Sequence, residues 1–226
     1  MDLAKPLRPL VTTLAPEPWL QRVRARRRGP LFRAAGVVFV HVPRAAGTSL
    51  AEALYDRFIG HFGITDLLAT GCEEVLALPR FAVGRNPWDR AVSAWSFARE
   101  GGGRGRTGRV RVARPGQYDD PAFASFDRFV LEWLPARPLL ERDGIFRPQT
   151  AYLTRRDGSV PLDHLGRLHR IEETRAWLSD TLGREIALGQ ENASSRREYR
   201  SYYSPETRDA IARLYRADIA LLGAEF

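Results

Sequence analysis

The chain has 226 residues, of which 44% are hydrophobic and 10% aromatic, and its 35 basic and 27 acidic residues give a net charge of +8. These proportions are typical of a globular protein with a sizeable core. The single cysteine, Cys72, excludes a disulfide framework and a CxxC metal site, and no apolar run approaches the roughly 18–20 residues that a membrane span needs.

The basic residues are almost all arginine, since Lys5 is the only lysine. A guanidinium fork binds the oxygens of phosphate-like groups in pairs, so an arginine excess is consistent with anionic ligands. The N-terminus lacks the apolar stretch of a secretory signal. We therefore expect a cytoplasmic protein without stable membrane insertion, and leave open a peripheral contact with a membrane.

Residues 1–35 form a proline- and arginine-rich segment that contains the run "RVRARRR" at 22–28. We interpret it as an N-terminal extension, either a solvated flap or a short exposed helix that packs outside the core. A contact with a membrane surface or a nucleic acid is the alternative. Residues 36–226 are then predicted to form one domain.

The pattern strand–loop–helix occurs twice. Residues 36–42 are predicted to be a buried strand, and apolar residues recur at helical spacing from Thr48 to Phe58. Residues 80–84 are a second short apolar strand, and Asn86 and Pro87 are a strong start for the following helix. The repeat predicts an α/β fold, with a central parallel sheet flanked by helices and ligand sites at the carboxyl ends of the strands.

The rest of the chain is less regular. Residues 99–118 show no periodicity and are expected to be a mobile loop. The pattern predicts an amphipathic helix over 123–134, an irregular segment over 146–153, a strand within 158–168, a helix over 171–182 that ends at Gly183, and one final helix from Ser204.

The first loop, "HVPRAAGTSL" at 41–50, resembles a phosphate-binding P-loop without its lysine. Thr48 stands where a Walker A lysine belongs, and a cation occurs earlier, as Arg44. The second strand ends in Gly84-Arg85 rather than in a carboxylate that could hold Mg²⁺. The pattern favours a nucleotide site without a metal, in which backbone N–H groups and Arg44 face the anion. The alternative is a plain strand–turn–helix in which Gly47 only eases the turn.

The second motif, "GRNPWDRAVS" at 84–93, has Arg85 at the end of a strand and Ser93 about two turns into the next helix. An arginine fork and a hydroxyl at this spacing could bind a second phosphate, away from the first. The spacing alone is weak because arginines are abundant here. Together with the first loop it is more specific.

These segments resemble sulfotransferases that use 3′-phosphoadenylyl sulfate (PAPS), in the branch that includes carbohydrate O-sulfotransferases and bacterial relatives. "FVHVPRAAGTSL" is similar to their 5′-phosphosulfate loop, and "FAVGRNPWDRAVSAW" to their 3′-phosphate strand and helix. The likeness runs from about residue 36 to the C-terminus and implies a single P-loop-like domain. It departs from the family at Arg44, where a lysine is common, and at Gly166-Arg167-Leu168-His169, where "GRFE" is common.

The resemblance implies transfer of a sulfuryl group from PAPS to an acceptor hydroxyl, on a small molecule or a glycan, with release of adenosine 3′,5′-bisphosphate (PAP). Arg44 would offset charge on the leaving phosphate, and Arg85 and Ser93 would hold the 3′-phosphate. No metal and no nucleic-acid partner is expected. The cofactor-binding residues that this implies are Arg44, Ala45, Ala46, Gly47, Thr48, Ser49, Arg85, Ser93 and, more weakly, Arg196 and Arg197.

An acceptor hydroxyl must lose its proton, and a base with a pKa near 7 suits that task. His61, between the two motifs, is our candidate, and His41 is the second choice; a histidine without a chemical role is the alternative. The arginines of 99–114 would favour an anionic acceptor. Two other classes stay open: a P-loop small-molecule kinase or NTPase, and a non-enzymatic nucleic-acid-binding protein.

Overall fold

The computed structural model describes residues 17–45, 47–105, 108–112, 115–188 and 197–226. Its centre is a three-stranded parallel sheet of β1 (Val38–Val40), β2 (Arg80–Gly84) and β5 (His164–Arg167), in the order β1-β2-β5. β1 is buried and so is β2 after Arg80, as expected when helices cover both faces of a parallel sheet, whereas β5 is half-buried except at Gly166. The predicted mixed α/β architecture with a parallel sheet flanked by helices is confirmed.

Helices and short helical turns make up most of the remaining described structure. The α-helices are α1 (Glu17–Ala35), α2 (Gly47–Tyr55), α3 (Ile64–Leu68), α4 (Glu73–Leu76), α5 (Pro87–Arg99), α6 (Phe126–Arg128), α7 (Thr150–Leu153), α8 (Ile171–Leu182), α9 (Pro205–Leu214) and α10 (Arg216–Leu222). The shorter 3₁₀ turns are Pro115–Tyr118, Pro121–Ala124, Leu139–Glu141, Leu168–Arg170 and Tyr199–Tyr202, and a π-helical turn, Phe129–Trp133, continues α6. No helix among the described residues is long and apolar enough to span a membrane.

The buried hydrophobic residues of the described structure form two clusters. The first surrounds β1 and β2 and includes the stacked rings of Phe39 and Phe81. The second is rich in aromatic residues and surrounds α5, with Trp95, Phe129 and Phe146 among its members. Ala45, in the loop after β1, belongs to the first cluster, and Trp88, after the loop that follows β2, belongs to the second.

The helix α1 corrects one sequence expectation. Residues 17–35 were expected to pack outside the core, but Ala25 and Phe32 are fully buried members of the first cluster. Ala25, Gly29 and Phe32 recur at helical spacing, which gives this arginine-rich helix a narrow buried stripe. The stripe was not recognised in the sequence, because arginines occupy most of the other positions of the helix.

The segment after α5 is a second correction. Residues 99–118 were expected to be a loop without regular structure, yet β3 (Gly102–Gly105) pairs antiparallel with β4 (Gly108–Arg111). Residues 106–107 and 113–114, which belong to the same segment, lie outside the described residues. Glycines and arginines gave no apolar alternation, so the hairpin was not visible in the sequence.

Three other elements differ from expectation in detail. Residues 123–134 are not one helix, because Ser125 caps a new helix start by accepting the N–H of Arg128. Residues 146–153 contain the helix α7. The final helix is divided in two at Tyr215, whose buried hydroxyl donates to the Phe146 carbonyl at 2.7 Å.

Candidate functional site

The two loops that follow β1 and β2 lie side by side, because β1 and β2 are adjacent and parallel. The first loop leads into α2 and the second into α5. The carboxyl edge of a parallel sheet is where α/β proteins bind their ligands. The residues of both predicted motifs therefore meet at one edge.

The first loop is built on a close contact between His41 and Gly47. A Cβ placed on Gly47 would overlap the imidazole of His41. His41 is 3% exposed, and its ring stacks on Phe39 at 5.4 Å between centroids. Only glycine fits at position 47, because the buried ring has nowhere to move.

Arg44 adopts a left-handed backbone conformation, with φ of 68°. Non-glycine residues adopt this conformation rarely and usually in a tight turn. Its guanidinium donates to the hydroxyl of Ser93 from both Nε, at 3.2 Å, and Nη2, at 2.9 Å. It also lies 4.4 Å from the ring centroid of Phe97. The cation of the first motif and the hydroxyl of the second are thus in direct contact.

Arg85 joins the same group. Its Nη1 donates to the Arg44 carbonyl at 3.1 Å, and its Nε donates to the Asp89 carboxylate at 2.6 Å. Its backbone is held by Gln149, which accepts the Arg85 N–H at 2.9 Å and donates to the Arg85 carbonyl at 2.7 Å. Asp218 in turn accepts the Gln149 N–H at 2.7 Å. Gln149 and Asp218 are both fully buried and are residues that the sequence argument missed.

The start of α5 follows the sequence prediction. Asn86 is the N-cap and its side chain accepts the Trp88 N–H, while Pro87, the first helical residue, has no N–H to offer. Two of the donors normally left over at a helix start are thereby accounted for. An anion near this helix would be held by the side chains of Arg85 and Ser93 rather than by the backbone.

Arg90 is a further residue that the sequence did not single out. It is 2% exposed and donates to the carbonyls of Pro43 at 3.0 Å, Arg147 at 2.9 Å and Gly144 at 3.5 Å. None of the ion pairs among the described residues includes it. It therefore ties the first loop to α5 and adds buried positive charge beneath the site. One arginine among many in the sequence carries no signal for this role.

His61 lies against His41, with 4.2 Å between ring centroids. Its Nδ1 lies 3.2 Å from the His41 carbonyl. Because a carbonyl only accepts, Nδ1 carries the proton and Nε2 is the basic nitrogen. Burial lowers the pKa of His61 to about 4, the His41 backbone opposes that shift, and the charges of Arg90, Arg24 and Arg44 add to it. His61 is thus neutral at pH 7, with a pKa below the value near 7 that suits a base.

His41 is also held neutral. Burial lowers its pKa, the neighbouring His61 adds to that effect, and the backbone of Gly60 acts in the opposite direction. Its Nδ1 is buried and has no hydrogen-bond partner in the part of the chain that the structure describes. An orphaned buried nitrogen is uncommon, and here it lies beneath the first loop.

The other predicted site residues are distributed as follows. Ala45 is buried, and Thr48 and Ser49 are half-buried in the first turn of α2. Arg197 is exposed and lies 5.7 Å from the ring centroid of Tyr202, so the described contacts do not bring it to Ser93. Ala46 and Arg196 lie outside the described residues.

This set of side chains suits an anion. It combines two guanidinium groups, one hydroxyl and the first-turn amides of α2, which have no partner inside the helix. Donors of these kinds bind phosphate-like oxygens, and Nε of Arg85 already donates to the Asp89 carboxylate. Among the described residues, no group of three or more His, Cys, Asp or Glu is arranged to hold a metal ion.

Comparisons of the chain with protein-family models, with curated proteins and with solved structures find no match. A functional assignment therefore depends on the chemistry of the site and on the sequence resemblance.

Proposed function

We propose that this protein is a PAPS-dependent sulfotransferase built on a single P-loop-like domain. The observation that carries the proposal is the contact between Arg44 and Ser93, which unites the two phosphate-binding motifs at the carboxyl edge of the sheet. A nucleotide with phosphates on both sides of its ribose needs two anion-binding motifs within the length of one nucleoside. The contact between Arg44 and Ser93 supports this arrangement.

Each residue has a distinct role in this proposal. The first-turn amides of α2 and the hydroxyls of Thr48 and Ser49 bind the 5′-phosphate, and Arg44 offsets the charge that develops on its leaving oxygen. Arg85 and Ser93 bind the 3′-phosphate and so distinguish PAPS from ATP. Arg90 holds the loop carbonyl of Pro43, which keeps Arg44 in position.

The acceptor hydroxyl loses its proton to Nε2 of His61 as its oxygen bonds to the sulfur and the sulfur–oxygen bond to the leaving phosphate breaks. The geometry needed is in-line, as in phosphoryl transfer. A bound anion raises the pKa of a nearby histidine because it favours the charged imidazole. The depressed pKa of His61 is therefore expected to rise toward neutrality when the nucleotide is bound.

The decisive experiment compares the thermal stabilisation that PAP, ATP with Mg²⁺ and a short oligonucleotide give to the full chain. A ligand at 100 times its Kd adds about 2.7 kcal/mol, which for a chain of this size is about 5–11 °C in Tm. We expect this shift with PAP alone, and its loss in Ser93→Ala but not in Arg213→Gln, an exposed control on α9. A larger shift with ATP and Mg²⁺ would favour a kinase or NTPase, and one with the oligonucleotide a nucleic-acid-binding protein. Transfer from PAPS to panels of glycans and phenols then tests the reaction.

A further inference from the structure

The arginine run of α1, "RVRARRR" at 22–28, has no role in the proposed function. The helix is fixed in its rotation about its own axis by contacts with the rest of the protein. Ala25 and Phe32 are buried in the first cluster, and Nε of Arg28 donates to the Ile59 carbonyl at 2.9 Å. The opposite side of α1 therefore faces away from the core.

A basic face occupies this outward side. It consists of Arg22, Arg26 and Arg27 together with Trp19, and all four side chains are exposed, Trp19 to 48%. At about 100° per residue, the four positions span about 140° of the helix circumference, and the buried stripe of α1 falls outside that span. Three cations and one indole are thus presented on one side of a single helix.

The charge of the basic face has no acidic partner. None of the ion pairs among the described residues includes Arg22, Arg26 or Arg27. Arg33, farther along α1, does pair with Glu74, at 3.1 Å. Arg22 and Arg26 are four residues apart, and like charges at this spacing destabilise a helix. The arrangement costs stability in water, and an anionic surface would offset that cost.

We propose that the basic face of α1 docks on a membrane surface that carries anionic phospholipids. The arginines bind the lipid phosphates, and the indole of Trp19 enters the boundary between headgroups and acyl chains, where tryptophan is enriched. The same face of a second copy of the chain would be repelled, because equal positive charges would meet. The inference goes beyond the proposed function and does not depend on it.

Trp19 favours a membrane over a nucleic acid as the partner. Both are polyanions that arginines bind. Proteins that bind single strands stack successive bases on several aromatic side chains, and a duplex backbone offers no apolar layer to an indole. Trp19 is the single aromatic side chain among the exposed residues described on α1. One indole beside a group of arginines matches the helices that lie in a membrane interface.

The test is sedimentation of the full chain with two kinds of vesicle, one of phosphatidylcholine with about one-third phosphatidylglycerol and one of phosphatidylcholine alone. We expect binding at least about tenfold tighter to the anionic vesicles, and weaker binding as salt rises, because salt shortens the Debye length. Each arginine at such a surface strengthens binding about fivefold. Arg22→Gln/Arg26→Gln should therefore raise the Kd about 25-fold.

The matched control is Arg213→Gln/Arg216→Gln, which removes the same charge from exposed positions on α9 and α10. Its Kd should stay within about twofold of that of the unaltered protein, because charges outside the contact are screened by salt. Trp19→Phe is measured by quenching of tryptophan fluorescence with brominated lipid. The quenching that the unaltered protein shows should be mostly lost, since Trp88, Trp95 and Trp133 are buried.

The inference is overturned if the unaltered protein does not bind the anionic vesicles, if it binds both kinds of vesicle equally, or if the control weakens binding as much as Arg22→Gln/Arg26→Gln. Quenching that persists in Trp19→Phe would place the contact elsewhere and would also overturn it. If a short oligonucleotide at equal phosphate concentration removes the protein from the vesicles, the basic face binds nucleic acid rather than a membrane.

Discussion

The two strand–loop–helix motifs look alike in the sequence but are built to bind in different ways. In the second, Asn86 and Pro87 close the start of α5, and Gln149 clamps the backbone of Arg85 on both sides. In the first, α2 starts at Gly47, which lies directly on the ring of His41. In the second motif, the backbone of Arg85 is held by hydrogen bonds to Gln149. In the first, Arg44 precedes the start of α2 and has a left-handed backbone conformation.

The difference follows from where each motif satisfies its polar groups. In the second motif, the Asn86 side chain and Pro87 account for two of the four donors at the helix start. The first depends on the position of Arg44, which is set by Ser93 and by the carbonyl contacts of Arg85 and Arg90 in the second motif. Residues of the second motif therefore hold the first loop in place.

The largest effect is expected from Arg44→Gln, which replaces the guanidinium with a shorter, uncharged amide. If the first motif offsets charge on the leaving phosphate, kcat for sulfuryl transfer should fall by about 10²–10³. Steady-state kinetics with PAPS measures this, and PAP stabilisation checks that the nucleotide still binds. A kcat within threefold of the unaltered protein would mean that Arg44 only supports the loop.

Gly47→Ala, in the first motif, should lower the free energy of unfolding of the protein. The new methyl group meets the buried ring of His41, and overpacking of this kind lowers the free energy of unfolding by about 1–3 kcal/mol. Urea denaturation measures the loss. His41→Ala in the same chain should restore part of it, because the two residues are in contact. Strictly additive effects would show that the close contact is not what requires glycine.

Acid should destabilise the protein through His41, in the first motif, and His61, which packs on it. Their folded-state pKa values lie below the unfolded value, so the unfolded chain binds more protons as the pH falls from about 6.5 toward 4. His61 alone should lower the free energy of unfolding by about 2 kcal/mol between pH 7 and pH 5, and His41 adds to this loss. Burial lowers the pKa of His164 as well, which adds to the slope with the same sign.

The histidine contribution is isolated by substitution. His61→Gln should flatten the pH dependence of urea unfolding between pH 7 and pH 5. His169→Gln, at an exposed histidine after β5, is the matched control and should leave it unchanged. An equal slope in both variants would assign the effect to other groups.

The smallest effect is expected from Asn86→Ala, which removes the N-cap of α5. The loss of a cap costs about 1 kcal/mol of stability. PAP affinity should change little, because in the proposed function this motif binds the ligand through the side chains of Arg85 and Ser93. A large loss of PAP binding with little loss of stability would mean that the amides of α5 take part after all.

Local rules predicted much of this fold. The positions of β1 and β2, the cap at Asn86, the end of α8 at Gly183 and the presence of helices beside a parallel sheet all follow from apolar runs and capping residues. The hairpin β3–β4 and the buried stripe of α1 were missed, because their glycines and arginines carry no apolar periodicity. The predicted site residues Arg44, Arg85 and Ser93 lie together. The sequence did not predict that Gln149, Asp218 and Arg90 hold them in place.

The sequence by itself determined which groups can bind an anion, because residue type, caps and strand ends are local properties. Only the tertiary structure decided how those groups are held and charged. Gln149 supports Arg85 across 64 positions, and Arg90 reaches Pro43 across 47. The burial that lowers the pKa of His61 likewise comes from folding around it. Contacts between distant residues form only when the chain folds, and no local pattern encodes which residues meet.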